Sequence, residues 1–331
     1  MPTSVAVTTT VTSVIPAVYS TLVGEVDSVA SFPWSRAALT AAQIAAAAAD
    51  LPMLVSGNVA GDGIQDPEWR SGGLWTTGLD ETVTDAGLRQ RTTRVFDGLA
   101  TVTTRGGSSV DNALLFELDS VAFDVAALWV PNLVTIDPDA VRLEIADDEA
   151  FSSNLEVLAE WTSDYGRRLV EVQLGGGDGY RYSDVRYLRV VFDNGAALPI
   201  RVAEVYLGTR YSPDHAPEIE EDEDATESRW LEAEADDGDT QRVPLWTRRL
   251  NTTLRWRPDT TTYVDLFRDW HAGTRWGADP ALYIPTPASD PRICYLVMPP
   301  TDLAIENQGA MAHEAAIGLR EQAPYVAKEN V

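Results

Sequence analysis

A chain of 331 residues with an apolar fraction of 44% has the makings of two or three folded cores, which excludes overall disorder. Its 51 acidic against 25 basic residues leave a formal charge of −26, which repels phosphate and argues against nucleic acid and anionic membrane surfaces as partners. A single cysteine, Cys294, excludes an intrachain disulfide and a cysteine-built zinc cluster, and no run of about 18 apolar residues offers a membrane-spanning helix.

The bases are unevenly chosen. Lys328 is the only lysine and every other base is arginine. A GC-rich genome and life in concentrated salt both produce that bias, and the acid excess favours a halophilic or marine source. At 1 M salt the Debye length is only about 3 Å, so such a surface is screened there and loosens the fold when salt is withdrawn.

Taken in order, residues 1–30 are rich in Thr, Ser and Val with no charge before Glu25, and read as an extended amino-terminal arm or first edge strand. Ala37 to Asp50 is nearly all alanine and predicts a helix with Ser35 as its cap and Pro52 beyond its end. Gly57 to Gly78 is loop-like, with Trp69 and Trp75 set among glycines either to plug the end of a sandwich or to form a ligand surface. From Leu114 the strands come quickly: Leu114–Leu118, Val121–Val130, Val141–Ala146, Leu155–Trp161, Leu169–Leu174, Tyr187–Phe192 and Ile200–Leu207. Val141, Leu143 and Ile145 alternate with Arg142 and Glu144, so the first three face a core and the last two face water; Leu188, Val190 and Phe192, then Ala203, Val205 and Leu207, repeat the pattern. Turn residues separate these runs, among them Asp137-Pro138, the glycine-rich Gly175–Gly179 and Asp193-Asn-Gly195. Short strands without helices between them predict a mainly β fold, an antiparallel jelly-roll β-sandwich over 31–211 with the alanine-rich helix near its start.

Residues 212–241 carry Glu218 to Asp224 and then Glu232, Glu234, Asp236, Asp237 and Asp239, and read as a solvated acidic linker. The sharper alternative is a calcium loop at Asp236, Asp237 and Asp239, although the twelve-residue ligand spacing and its closing glutamate are missing. The remainder, 242–331, reads as a smaller α+β assembly domain. Thr252, Leu254 and Trp256 alternate as a strand, Tyr263, Leu266, Phe267 and Trp270 mark one face of a helix from about Asp259 to Gly273, and Ala315, Ile317 and Leu319 form a further strand.

Catalytic chemistry is not legible. His215, His271 and His313 lie far apart, and no nucleophile elbow, phosphate loop or zinc-protease motif occurs, so neither an enzyme nor a cofactor is expected. Carboxylates are so numerous that a facing pair would carry no information about glycoside hydrolysis. Cys294 sits in an apolar strand-like run, the setting of a buried structural thiol. No basic stretch followed by an apolar run opens the chain, so synthesis in the cytoplasm without a secretory leader is expected.

Leu114-Leu-Phe-Glu-Leu-Asp119 with Val125-Ala-Ala-Leu-Trp-Val-Pro-Asn132, the segment Val141–Phe151, and the pair Tyr187–Phe192 and Ile200–Gly208 resemble the strands of discoidin-like, galactose-binding-like sandwiches. Trp246-Thr-Arg-Arg-Leu250 through Trp256, followed by the helix Tyr263–Trp270, is similar to the second unit that minor tail proteins of tailed phages and gene-transfer particles carry after such a sandwich. The resemblance implies a virion structural protein at a tail tip or baseplate, with other tail proteins and copies of itself as partners and a host-surface glycan contact through the sandwich. The acidic linker and alanine-rich helix depart from that pattern. The alternatives are a capsid turret or decoration protein and a carbohydrate-binding adhesin module, in which Trp69, Trp75, Asp178 and Tyr180 supply a stacking face and a polar anchor.

Overall fold

The computed structural model describes residues 33–62, 67–71, 104–105, 112–162, 168–176, 179–193, 200–219, 226–234, 240–256, 261–309 and 312–321. The expected arm at 1–30 lies outside these. Residues from Trp34 to Val331 form one compact unit.

In chain order the elements are β1 (Ser35–Ala38), α1 (Ala41–Ala48), β2 (Met53–Ser56), β3 (Glu68–Ser71), β4 (Thr104–Arg105), β5 (Asn112–Phe123), β6 (Val125–Trp129) and α2 (Leu133–Ile136). Then come β7 (Ala140–Ala146), β8 (Glu156–Trp161), β9 (Arg168–Glu171), β10 (Tyr180–Asp193), β11 (Arg201–Val202) and β12 (Glu204–Tyr211). The last third adds β13 (Glu218–Ile219), β14 (Thr226–Glu234), β15 (Thr240–Trp256), α3 (Thr261–Gly273), β16 (Ala281–Ile284), β17 (Tyr295–Met298), β18 (Ala304–Gly309) and β19 (Ala312–Glu321). The fold is mainly β, and its described strand pairs are antiparallel.

One sheet runs β3-β5-β10-β7-β8, with β1 on the amino-terminal end of β10; the other runs β13-β15-β19-β17-β16-β2-β12-β6-β9. The sandwich closes where β6, β9 and β12 lie over the first sheet. Leu114, Phe116, Leu143, Leu188, Val190 and Phe192 from one layer share a core with Leu128, Leu169, Val205 and Leu207 from the other. Each such side chain removed from water contributes about 1.5–3 kcal/mol.

Strand β2 decides how the carboxyl-terminal third attaches. It pairs with β12 on one side, Val55 opposite Arg210, and with β16 on the other, Val55 opposite Leu282. With the two-residue period of a strand, Met53 and Val55 enter a core with Ala47, Tyr206, Ile284 and Cys294, while Leu54 enters another with Trp256, Phe267, Trp270 and Ile317. Strands from both sides of 212–241 therefore belong to one sheet, where the sequence predicts a linker between two domains. Within that stretch Thr226–Glu234 is itself a strand, paired with β15 from Thr240 to Leu250.

Two local expectations are corrected. The alanine-rich helix begins at Ala41, not Ala37, because Thr40 and Gln43 form a capping box: Gln43 N donates to Thr40 Oγ1 at 3.3 Å and Thr40 N donates to Gln43 Oε1 at 3.0 Å. Ser35 and Arg36 instead pair with Ser183 and Tyr182 as β1. Glu144, expected in water, is 2% exposed. It does point away from Val141, Leu143 and Ile145, but Leu115 of β5 and Ala146 of β7 share that outer face with it and Phe151 packs against them. Among the described residues no helix is long and apolar enough to cross a membrane.

Candidate functional site

Strands β8 and β9 are the outermost strands of the two sheets at the same side of the sandwich. Between them lies a cleft of about 400 Å³, with Val157 and Glu160 on one wall and Glu171, Gln173, Gly175 and Gly176 on the other. Val157 is 42% exposed and offers the cleft an apolar surface. Glu171 Oε1 accepts from Gln173 N at 3.0 Å, which fixes the carboxylate, and burial holds its proton above the ordinary carboxylate range. Among the described residues no basic side chain lines the cleft.

The glycine turn sets the position of the second wall. Gly175 N donates to Leu158 O at 3.0 Å and ties the turn to β8. Its φ is +76°, and a Cβ at this position would collide with the Tyr182 hydroxyl, so any side chain at 175 is strained. Beneath the turn Tyr182 Oη donates to Glu156 Oε1 at 2.6 Å, and Arg36 Nη1 donates to the same oxygen at 2.7 Å. The Arg36 guanidinium lies 4.6 Å from the Tyr180 ring centroid, and Trp34 packs 5.8 Å from Tyr182 while its Nε1 donates to Asn154 O at 2.9 Å. An aromatic and ionic framework thus braces the cleft from below.

Of the residues singled out in the sequence, Tyr180 stands at this edge, opposite Ala38. Trp69 does not. It lies on β3 at the opposite edge of that sheet, where the register runs from Trp69 through Leu114, Val190 and Leu143 to Ala159 of β8, four strands or roughly 19 Å away at about 4.8 Å per strand. Trp75, Asp178 and the calcium candidates Asp236, Asp237 and Asp239 lie outside the described residues. Among the described residues no group of three or more His, Cys, Asp or Glu side chains could hold a metal ion. Nothing in the sequence singles out Glu160, Glu171 or Gln173; the nearest signal is the glycine-rich Gly175–Gly179, which reads there as a turn between two strand runs.

No family model matches the chain, and no curated protein matches it. Solved structures similar to part of it include a Ruminococcus gnavus GH29 fucosidase in complex with fucose, at 10% identity and TM-score 0.28 over 38% of this chain and 23% of that one. Another is chitosan-binding module 1 from a chitosanase/glucanase of Paenibacillus sp. IK-5, at 13% identity and TM-score 0.33 over 46% and 98%. A third is CBM32-1 of a family 31 glycoside hydrolase from Clostridium perfringens, at 9% identity and TM-score 0.27 over 44% and 96%. The chain spans less than a quarter of the fucosidase. Scores of this size decide nothing about a ligand, and none of the three bears on the resemblance to minor tail proteins.

Proposed function

We propose that the protein is a non-catalytic carbohydrate-binding protein whose cleft between β8 and β9 takes a neutral glycan. The observation that carries this is the cleft's chemistry: two carboxylates and an amide beside an exposed Val157, with no base among its described lining residues. Sugar hydroxyls donate to the carboxylates, and the C–H face of a pyranose rests on the valine. An anionic glycan meets Glu160, Glu171 and a chain of charge −26, and is repelled.

Calorimetric titration with neutral and uronate-containing oligosaccharides tests it. Neutral ligands bind, uronates do not, and Glu160→Gln or Gln173→Ala weakens binding about tenfold, the equivalent of about 1.4 kcal/mol. Absence of neutral-glycan binding, or binding indifferent to both substitutions, overturns it. The resemblance to minor tail proteins stands behind a tail-tip role, and the cleft adds nothing to it; a glycan-binding role needs no particle.

A further inference from the structure

Trp276 is 63% exposed, whereas Trp129, Trp161, Trp256 and Trp270 are all under 5% exposed and Trp34 is half-buried. Among the tryptophans whose side chains are described, it is the one that the fold leaves in water. Its backbone is unusual too. Arg275, Trp276 and Gly277 follow α3 with φ of +48°, +61° and +82°, three left-handed residues in a row. Gly277 has a steric reason, since a Cβ there would collide with Pro300 O. Trp276 takes the same conformation while carrying a Cβ and an indole. A bulky residue held this way is strained by about 1–3 kcal/mol, and glycine would relieve it.

The ring is also held in place. Trp276 N donates to His271 O at 3.0 Å, and the indole stands at 86° to the His271 ring with centroids 5.5 Å apart. His271 is 2% exposed, and its Nε2 donates to Pro300 O at 2.8 Å. On the same turn Arg275, the residue before Trp276, pairs with Asp279, an N–H donor and a carboxylate acceptor exposed by 79% and 31%.

An exposed indole packed on a buried His271, with a charged pair on its own turn, suits the C–H face of a sugar. Protein partners need about 800 Å² per side, and Arg275 and Asp279 of this turn are charged. We propose that Trp276 is the platform of a second binding site, apart from the cleft, on which one neutral pyranose stacks. Asp279 and the chain's charge of −26 bias it against uronates. The proposal shares a ligand class with the cleft but does not depend on it.

The test is calorimetry of the full chain with neutral oligosaccharides built on glucose, galactose and N-acetylglucosamine, for the parent, Trp276→Ala, Trp276→Gly, Trp276→Tyr and the cleft variant Glu160→Gln/Gln173→Ala. Two sugars per chain are expected, falling to one in Trp276→Ala and Trp276→Gly, with Trp276→Tyr keeping binding within about tenfold of the parent. An unchanged melting temperature, or a raised one for Trp276→Gly, shows that the loss is not misfolding. Unaltered stoichiometry and affinity in both Trp276→Ala and Trp276→Gly overturn the second site and leave the cleft standing. Binding lost only in the Trp276 variants does the reverse, and no sugar binding by the parent overturns both.

Discussion

Arg189 and Glu144 face each other across β10 and β7, with Arg189 Nε and Nη2 each 2.6 Å from Glu144 Oε2 and the carboxylate 2% exposed. Arg142 Nε adds a second contact at 3.2 Å, and the Arg189 guanidinium stacks 4.2 Å from the Phe151 ring centroid. Removing the guanidinium leaves a buried charge with half its compensation. Arg189→Met is expected to lower unfolding free energy by about 3–5 kcal/mol in urea denaturation, whereas Arg189→Met with Glu144→Leu loses much less.

Asp124 and Arg210 form a second such pair, both side chains fully buried, with Arg210 N donating to Asp124 Oδ1 at 2.8 Å and Nη2 donating to Asp124 O at 3.0 Å. Nη2 also donates to Val172 O, next to Glu171 of the cleft. Arg210→Met is expected to destabilise by about 3–5 kcal/mol and to loosen that wall, so its glycan affinity falls as well. Stability within about 1 kcal/mol of the parent would contradict the role of the pair.

Glu171 titrates in a defined direction. Burial raises its folded-state value above that of the unfolded chain, so the stability it contributes is complete below the ordinary carboxylate range, about 4.3, and is lost as pH rises through the raised value. Glu171→Gln removes this dependence. Melting temperatures between pH 4 and 7 are expected to rise more, or fall less, with pH in the variant than in the parent.

Period-two alternation marks Val141, Leu143, Ile145, Leu188, Val190 and Phe192 as core, because facing inward is a local property of a strand. It cannot show that the outer face around Glu144 is covered, since Phe151 reaches it through a loop whose path is tertiary. Nor can it show that β2, four residues near the start of the described chain, pairs with both β12 and β16 and joins the carboxyl-terminal strands to the sandwich. Tyr180 is singled out in the sequence by residue type, whereas the glycine turn reads there as a turn between strands and not as part of a site. Glu160 and Glu171 are not singled out, since among 51 acids nothing local marks the two that line a cleft.

The close approach of Gly175 to Tyr182 gives a double-mutant test. Gly175→Ala is expected to destabilise through its positive φ and through contacts with the Tyr182 hydroxyl and the Tyr180 ring, and Tyr182→Phe relieves the hydroxyl contact alone. The alanine is therefore less damaging in the Tyr182→Phe background, with about 1 kcal/mol of coupling, and additive losses would show that the contact is relaxed.

Cys294 is fully buried, and its thiol is pushed up to about 12 by burial. Ellman's reagent is expected to leave the native protein untouched at about pH 8 and to titrate one thiol in urea. Rapid reaction without denaturant would contradict the packing around it.

A neutral glycan in the cleft is the central claim, and nuclear magnetic resonance of the isotope-labelled full chain titrated with neutral oligosaccharides tests it most directly. Saturable shifts centred on the amides of Glu160, Glu171, Gln173, Gly175 and Gly176, absent with uronate oligosaccharides, are the predicted result. Shifts confined to other surfaces, or none with any neutral sugar, would contradict it.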